Sequence, residues 1–236
     1  MLEPSKPPLV RTRVGLRRFR VWLWLLIALS AAALLGLAYR AYQVMHPPLS
    51  PYAEIYPKAR SLSPFSLQSS TGDIMTPQQL QGHWTLVFVG YTSCPDICPM
   101  TMAMLAGAIP QLKHHLPAGE QLEIWFISVD PKRDTAEQLA QYLAYFNQPS
   151  IKAMTASHDR LMPLVRELNL SYAINEPDQA EYLVSHTAAM ALLNPRGALV
   201  GRFLPMRHAD QQTVPVVSRT QLLHDFPIML ARLAAQ

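Results

Sequence analysis

The stretch Tyr91–Pro99, which reads YTSCPDICP, decides the fold and holds the only two cysteines of the chain. It follows an apolar run, Trp84 to Val89, that is typical of a buried strand, and it leads into a helical stretch. The unpaired N–H groups and the dipole at a helix N-terminus favour thiolate over thiol. Cys94 and Cys98 are therefore predicted to form a reversible disulfide or to hold a soft metal such as Cu(I).

The spacing of the two cysteines leaves both of these chemistries open. Cys-x-x-Cys is the common dithiol redox spacing, and here there is one extra residue. Residues four apart at a helix start can still place their α-carbons within disulfide range, roughly 4.4–6.8 Å. Two cysteines alone do not make a structural zinc site, which usually needs four ligands. The alternative without a chemical role is an inert buried pair or a structural disulfide. A structural disulfide stabilises a fold by closing a long loop, and the loop between these cysteines is very short.

The N-terminal region has the pattern of a membrane anchor. Residues 1–20 carry six basic and one acidic side chain, a charge of +5, and the remaining 14 bases and 15 acids give −1. Residues 21–40 contain the uncharged apolar run Val21–Tyr39, which is long enough to cross a bilayer. The positive-inside rule places the basic tail in the cytoplasm and everything after Arg40 on the other side. Because the positive charge belongs to the tail, the sequence predicts no basic, nucleic-acid-binding surface on the folded part.

This pattern predicts an uncleaved anchor in a bacterial inner membrane, with a single pass and the folded domain facing the periplasm. One alternative is a cleaved signal peptide, with Gly36-Leu37-Ala38 as the cleavage site, although the apolar run is longer than most signal cores. A second alternative is a mitochondrial presequence, which fits less well because the tail is short and leads straight into the apolar run. In the oxidising periplasm, thiols persist only with a reducing partner or a bound metal.

The rest of the chain divides into a linker and one domain. Residues 41–61 are rich in proline, which suppresses helix, and are predicted to form a stalk. Residues 62–236 alternate strand and helix, the order of an α/β, thioredoxin-like domain whose first two strands are parallel. The expected elements are a strand Trp84–Gly90, a helix Pro99–Leu116 that Pro110 kinks or breaks, a strand Leu122–Val129, helices Thr135–Phe146 and Arg160–Leu168, a hairpin of Ala188–Leu193 with Leu199–Phe203, and a helix Thr220–Leu233.

One histidine stands out through its place in this topology. The segment that enters the hairpin, Leu183–Thr187, should run beside the cysteine turn, and it carries His186 where a thioredoxin-type redox enzyme usually has a cis-proline. Two thiolates and one imidazole suit copper, because soft sulfur holds Cu(I) and imidazole makes Cu(II) tolerable. A lone histidine is otherwise most often an ordinary hydrogen-bonded residue.

Three motifs, in this order, resemble the Sco (SenC) family. Val89–Pro99 is similar to the cysteine signature of that family, Ser128–Thr135 to its second motif and Val184–Thr187 to its third. The resemblance covers about residues 62–234. It implies a membrane-anchored copper-binding protein that assists the assembly of cytochrome c oxidase.

The resemblance implies a copper chaperone more than an enzyme. Cys94, Cys98 and His186 would bind copper, as Cu(I) or Cu(II), and pass it to the binuclear copper site of the copper-bearing oxidase subunit. The alternative is a thiol-disulfide oxidoreductase whose redox-active disulfide, Cys94–Cys98, keeps the cysteines of that subunit reduced. In that alternative, the helix N-terminus near Cys98 is expected to stabilise the thiolate that attacks. The sequence identifies neither the copper donor nor the thiol reductant.

Three acidic residues are candidates for supporting the site or docking a partner. Asp96 lies between the cysteines, and Asp130 and Asp134 follow the second buried strand. The carboxyl ends of parallel strands share one edge of a sheet, so these side chains should approach the cysteine turn. A turn at Asp130 and a helix start at Asp134 would explain both residues without any function.

Overall fold

The computed structural model describes residues 14–45, 47–175, 182–206 and 214–235. Two compact units are present, one within Met1–Pro48 and one within Leu49–Gln236.

In the first unit the structure describes one long helix. This helix, α1, runs from Val14 to Met45. Its segment Phe19–Met45 has 27 residues and contains an 18-residue stretch with a mean hydropathy of 2.3, so it is long and apolar enough to cross a membrane. The predicted anchor, residues 21–40, lies inside this candidate transmembrane segment. Residues 1–13 of the predicted basic tail lie outside the described residues.

The second unit alternates strands and helices. Its elements, in chain order, are β1 (Ala53–Ser61), β2 (Leu67–Ser69), β3 (Ile74–Met75), a 3₁₀ turn (Pro77–Leu80), β4 (Trp84–Gly90), α2 (Ile97–His114), β5 (Leu122–Ser128), α3 (Ala136–Ala144), β6 (Ile151–Thr155), α4 (His158–Glu167), β7 (Tyr172–Ile174), β8 (Val184–His186), β9 (Met190–Leu193), β10 (Ala198–Phe203) and α5 (Arg219–Ala234).

Among the described residues, eight of these strands form one sheet in the order β1-β10-β9-β4-β5-β6-β2-β3. The central strands β4, β5 and β6 are parallel, and β9 joins β4 in the antiparallel sense. Within the described ranges, strands β7 and β8 pair only with each other, in a separate two-stranded ribbon. Because Gly90 is paired with Ser128, the loops that follow β4 and β5 leave the sheet side by side. The predicted parallel pair and the predicted hairpin are both present.

The sheet separates two apolar cores. All seven residues of β4 are buried, as expected for a strand covered on both faces. Leu86 and Phe88 belong to the core that α2, α3 and α5 cover. Val87 and Val89 belong to the core that α4 covers. This alternation follows from the two-residue period of a strand, and it fixes the end of β4 rigidly under the cysteine loop.

The proline-rich stalk predicted for residues 41–61 is wrong for most of that segment. Helix α1 continues to Met45, and Ala53–Ser61 forms an edge strand paired with β10. Pro57 is tolerated there because an edge strand leaves one side unpaired, and because the pairing shifts register between Ile55 and Arg60. The folded unit therefore begins near Leu49, and not at residue 62.

Helix α2 differs in detail from the prediction, and three strands besides β1 were missed. Helix α2 begins at Ile97, before Pro99, and continues through Pro110 to His114. Strands β6, β7 and β8 have five, three and three residues. Segments of that length carry too little periodicity to be distinguished from loops.

Candidate metal centre

The two cysteines occupy different environments at the start of α2. Cys94 lies in the loop before the helix and is half-buried. Cys98 is the second residue of α2, and only 1% of its surface is exposed. Both thiols are free. The backbone N–H of Cys94 donates to the carbonyl of Tyr91 at 3.2 Å, which closes the turn between strand and helix.

Gly90, the last residue of β4, makes room for the buried thiol. A β-carbon at this position would lie 2.7 Å from Cys98 Sγ and 2.8 Å from Cε2 of Phe126. Both distances are shorter than real carbon contacts, and the ring of Phe126 is itself packed against Phe88. Glycine is therefore needed for close approach, since the backbone torsion at this position is ordinary.

We expect Gly90→Ala to displace Cys98 and to lower the free energy of unfolding by about 1–3 kcal/mol, as overpacking of a filled core usually does. The measurement is chemical denaturation, together with thiol accessibility of Cys98. The matched control is Gly107→Ala in α2, where the nearest atom would be 3.6 Å away, at Arg219. That change should stabilise the protein by roughly 0.5–1 kcal/mol, because alanine is the better helix residue. Equal effects of the two substitutions would contradict this reading of Gly90.

The third group arrives on the two-stranded ribbon. His186 ends β8 and is paired with Tyr172 of β7. Its Nδ1 lies 3.1 Å from the carbonyl oxygen of Thr187, and its Nε2 lies 3.4 Å from Cys98 Sγ. A ring nitrogen next to a carbonyl is fixed as the protonated one, so the other nitrogen is free to bind a metal.

Cys94, Cys98 and His186 converge on one point. Their ligand atoms lie within 4.8 Å of one another, and the described residues contain no other group of three or more potential ligands that is as compact. Two sulfurs and one imidazole nitrogen are a soft donor set, which suits copper and disfavours Mg²⁺ or Ca²⁺.

The proton that the two thiols share is held on the buried one. The hydrogen bond from Cys98 lowers the pKa of Cys94 to about 3, and contacts with His186 and with the backbone N–H groups of Asp96 and Cys98 act in the same direction against burial. The same bond, together with burial, raises the pKa of Cys98. The half-exposed Cys94 is thus the attacking thiolate. The start of α2 near Cys98 contributes to this, as predicted, through the backbone N–H groups of Asp96 and Cys98, but the largest contribution comes from the side chain of Cys98.

We expect alkylation of Cys94 by iodoacetamide to be nearly independent of pH between 6 and 8. An unperturbed thiol would lose about a hundredfold in rate over that range, because its thiolate fraction falls tenfold per pH unit. Mass spectrometry after timed quenching measures the rate at each cysteine, and Cys98 should stay unmodified. In Cys98→Ala the donor is gone, so the pKa of Cys94 should rise and the pH dependence should return. A wild-type rate that drops with pH as for a free thiol would refute the assignment.

A family model described as SCO1/SenC matches residues 53–220. The chain belongs to the SCO1/SenC family. The match starts at β1, in agreement with the position of that strand inside the folded unit.

Relatives of this SCO1/SenC chain include plant and human proteins. "Protein SCO1 homolog 1, mitochondrial" of Arabidopsis thaliana is 35% identical over 160 residues, which are 68% of this chain and 47% of that protein. "Protein SCO1 homolog, mitochondrial" of Homo sapiens is 32% identical over 141 residues, 59% of this chain and 46% of that protein. The matched part is thus about half the length of these two relatives.

Solved structures show the same architecture. Copper-bound ScoI of Arabidopsis thaliana superposes with a TM-score of 0.59 at 30% identity, over 72% of this chain and 98% of that one. Copper-bound yeast Sco1 gives a TM-score of 0.58 at 24% identity, over 75% of this chain and 90% of that one. The thioredoxin-like α/β fold predicted from the sequence is confirmed.

The three acidic residues of this SCO1/SenC chain lie in three different settings. Asp96 is exposed, directly precedes α2, and makes no side-chain capping bond. Asp134 is fully buried and accepts hydrogen bonds from the backbone N–H of Thr92 at 2.9 Å and from the Thr92 hydroxyl at 2.6 Å. Burial raises the pKa of Asp134, while bonds from Ser128 and Thr92 oppose that rise. Asp134 therefore holds the turn that carries Cys94, and Thr135 is the residue that caps α3.

Asp130 is also fully buried, and it leads to residues to which the sequence assigned no role. It accepts hydrogen bonds from the hydroxyl of Tyr182 at 2.5 Å and from Nε of Arg133. The guanidinium group of Arg133 lies over the rings of Tyr182 and Tyr91. The ring of Tyr91 packs edge-on against the imidazole of His186, with 6.0 Å between the ring centres. The available signal was the position of Tyr91 and Arg133 inside two of the family motifs, but Tyr182 lies outside all three.

Proposed function

We propose that this protein binds copper through Cys94, Cys98 and His186. The observation that carries the proposal is the convergence of two thiol sulfurs and one imidazole nitrogen within 4.8 Å at the carboxyl edge of the sheet. The related Arabidopsis ScoI, 30% identical, has been solved with copper bound, which supports the same metal for this donor set. The two thiolates hold Cu(I), and the imidazole extends the site to Cu(II).

We further propose that the bound copper is a cargo for cytochrome c oxidase assembly. A related Sco protein, 20% identical, is described as a member of a family of cytochrome c oxidase assembly proteins. Cys94 is half-buried while Cys98 is buried, so an incoming soft donor meets the copper on the Cys94 side. Transfer to the binuclear copper site of the oxidase subunit proceeds by exchange of one thiolate ligand at a time.

The direct test is titration of the full-length protein in detergent. The reduced protein should bind one Cu(I) per chain in competition with a chelator of known affinity, and it should pass that copper to the apo copper-bearing subunit of the oxidase. A protein that binds no copper at chelator concentrations that leave picomolar free metal would rule the proposal out.

A second candidate function is reduction of a disulfide in the same recipient, because the structure pairs a reactive thiolate with a buried thiol. The Cys94 thiolate attacks one sulfur of the target disulfide, so that the S–S bond breaks, a mixed disulfide forms and one target thiolate leaves. Cys98 then gives its proton to the thiolate released first and attacks Cys94 Sγ, which breaks the mixed disulfide and releases the second target thiolate. The target gains two electrons, and the Cys94–Cys98 disulfide forms. Reduction of the oxidised subunit by the copper-free protein would favour this candidate over delivery.

For topology we propose a single-pass protein of a bacterial inner membrane, with residues 1–20 in the cytoplasm and the folded unit in the periplasm. The arginine-rich tail next to an apolar helix supports this orientation. Protease added to spheroplasts should digest the folded unit, and protection of that unit would overturn the orientation.

A further inference from the structure

No strand ladder among the described residues joins the ribbon that carries His186 to the main sheet. Strand β8 pairs with β7 alone, and β7 has no other partner strand among the described residues. Ladder hydrogen bonds therefore connect His186 to β7, but they do not connect it to β4 and the cysteine loop. The distance of 3.4 Å between His186 Nε2 and Cys98 Sγ is therefore maintained by the short connection from β8 to β9 and by side chains that reach from the ribbon to the sheet.

One such crossing begins at Tyr182, just before β8. Tyr182 is 7% exposed, and its hydroxyl donates at 2.5 Å to Oδ1 of Asp130, which follows β5. Nε of Arg133 donates to the other oxygen, Oδ2, of the same carboxylate. The guanidinium carbon of Arg133 also lies 3.9 Å from the centre of the Tyr182 ring, so the cation covers that ring while it neutralises Asp130.

The second crossing runs through Tyr91, which is 3% exposed. Its carbonyl accepts the N–H of Cys94, and its ring contacts His186 edge-on at 6.0 Å. Burial raises the pKa of Tyr91, while the backbone N–H of Val184 acts in the opposite direction. Arg133 lies 5.4 Å from the centre of this ring as well, so the two crossings share one cation.

We propose that Tyr182, Asp130, Arg133 and Tyr91 form a clasp, a set of positioning residues that holds the His186 ribbon against the two cysteines. This inference rests on the copper site proposed above and names what orients its nitrogen ligand. Groups that orient a metal-bound histidine typically contribute about 10–100-fold to metal affinity. The clasp acts on the imidazole alone, so it matters for Cu(II), which needs nitrogen, and little for Cu(I), which the two thiolates hold.

The test compares the full-length wild type with Tyr182→Phe and with Tyr172→Phe. Each change removes one hydroxyl and keeps the ring, and both residues belong to the ribbon region. Tyr182 loses its bond to Asp130, whereas Tyr172 loses only a 3.0 Å contact with His158. We expect Tyr182→Phe to weaken Cu(II) binding about 10–100-fold and to diminish the sulfur-to-copper absorption, with a much smaller loss of Cu(I) affinity. Tyr172→Phe should match the wild type in all three.

A copper-independent measurement separates failure of the clasp from failure of the copper proposal. In the copper-free protein, amide hydrogen exchange of the segment 184–186 should accelerate about tenfold in Tyr182→Phe, since a bond to a charged group is lost, while α2 is unaffected. If the wild type binds no copper but this change appears, the copper proposal falls and the clasp stands. Unchanged exchange and unchanged Cu(II) affinity in Tyr182→Phe, or equal losses in Tyr172→Phe, would overturn the clasp. Should Tyr182→Phe not fold, Tyr91→Phe, which keeps the ring on His186, gives the same comparison.

Discussion

Replacing Cys98 by serine is expected to remove copper of both oxidation states from the protein. A serine hydroxyl is a hard, protonated group at neutral pH, so the site would retain one thiolate and one imidazole. The loss should exceed the roughly 10–100-fold typical of a lost supporting contact. Cys94→Ser should have the same effect, because both sulfurs belong to the three-donor cluster.

The control for these variants is Met100→Leu. Met100 lies in the first turn of α2, its side chain is 52% exposed, and it is not part of the three-donor cluster. It is therefore the nearby sulfur whose loss should leave copper affinity unchanged. Far-ultraviolet circular dichroism and thermal unfolding are recorded for each variant, since a buried hydroxyl at position 98 costs about 1–3 kcal/mol by itself. Folded Cys98→Ser protein that keeps wild-type copper affinity would show that copper is bound elsewhere.

His186→Ala is expected to affect the binding of Cu(I) and of Cu(II) differently. The two thiolates remain, so Cu(I) binding should persist in weakened form, while Cu(II) affinity and its sulfur-to-copper colour should be largely lost. Exchange with a small disulfide should survive, because the largest contribution to the low pKa of Cys94 is the bond from Cys98, and the contribution of His186 is smaller. The visible spectrum of the Cu(II) form and the exchange kinetics measure the two properties independently.

The matched control is His158→Ala, which removes an imidazole that contacts Tyr172 next to the same ribbon. It should leave both properties intact. An unchanged Cu(II) spectrum in His186→Ala, together with abolished exchange, would make His186 part of a redox enzyme, and the copper-delivery proposal should then be dropped.

The metal site could be predicted from the sequence because its chemistry depends on cysteine, which is rare in this chain. The chain has only two cysteines, and their position between a buried strand and a helix follows from local hydrophobic pattern. His186 could be added only by way of topology, and the ribbon does bring it to within 3.4 Å of Cys98 Sγ. The fold class followed from the alternation of long elements such as β4, α2 and β5.

What the sequence did not reveal depends on contacts between distant segments. Pro57 suggested a stalk, yet its segment pairs with β10, which lies more than a hundred residues away. The contact between Tyr182 and Asp130 joins residues 52 positions apart, and no local pattern marks it. The need for glycine at position 90 likewise arises from the side chains of Cys98 and Phe126, and not from its own backbone.

X-ray absorption at the copper edge of the Cu(I)-loaded, full-length protein tests the central claim most directly. We expect a first shell of two sulfur atoms and one nitrogen, with the outer-shell scattering of one imidazole that disappears in His186→Ala. A shell of nitrogen and oxygen alone, or a single sulfur with several nitrogens, would contradict a site built from Cys94, Cys98 and His186.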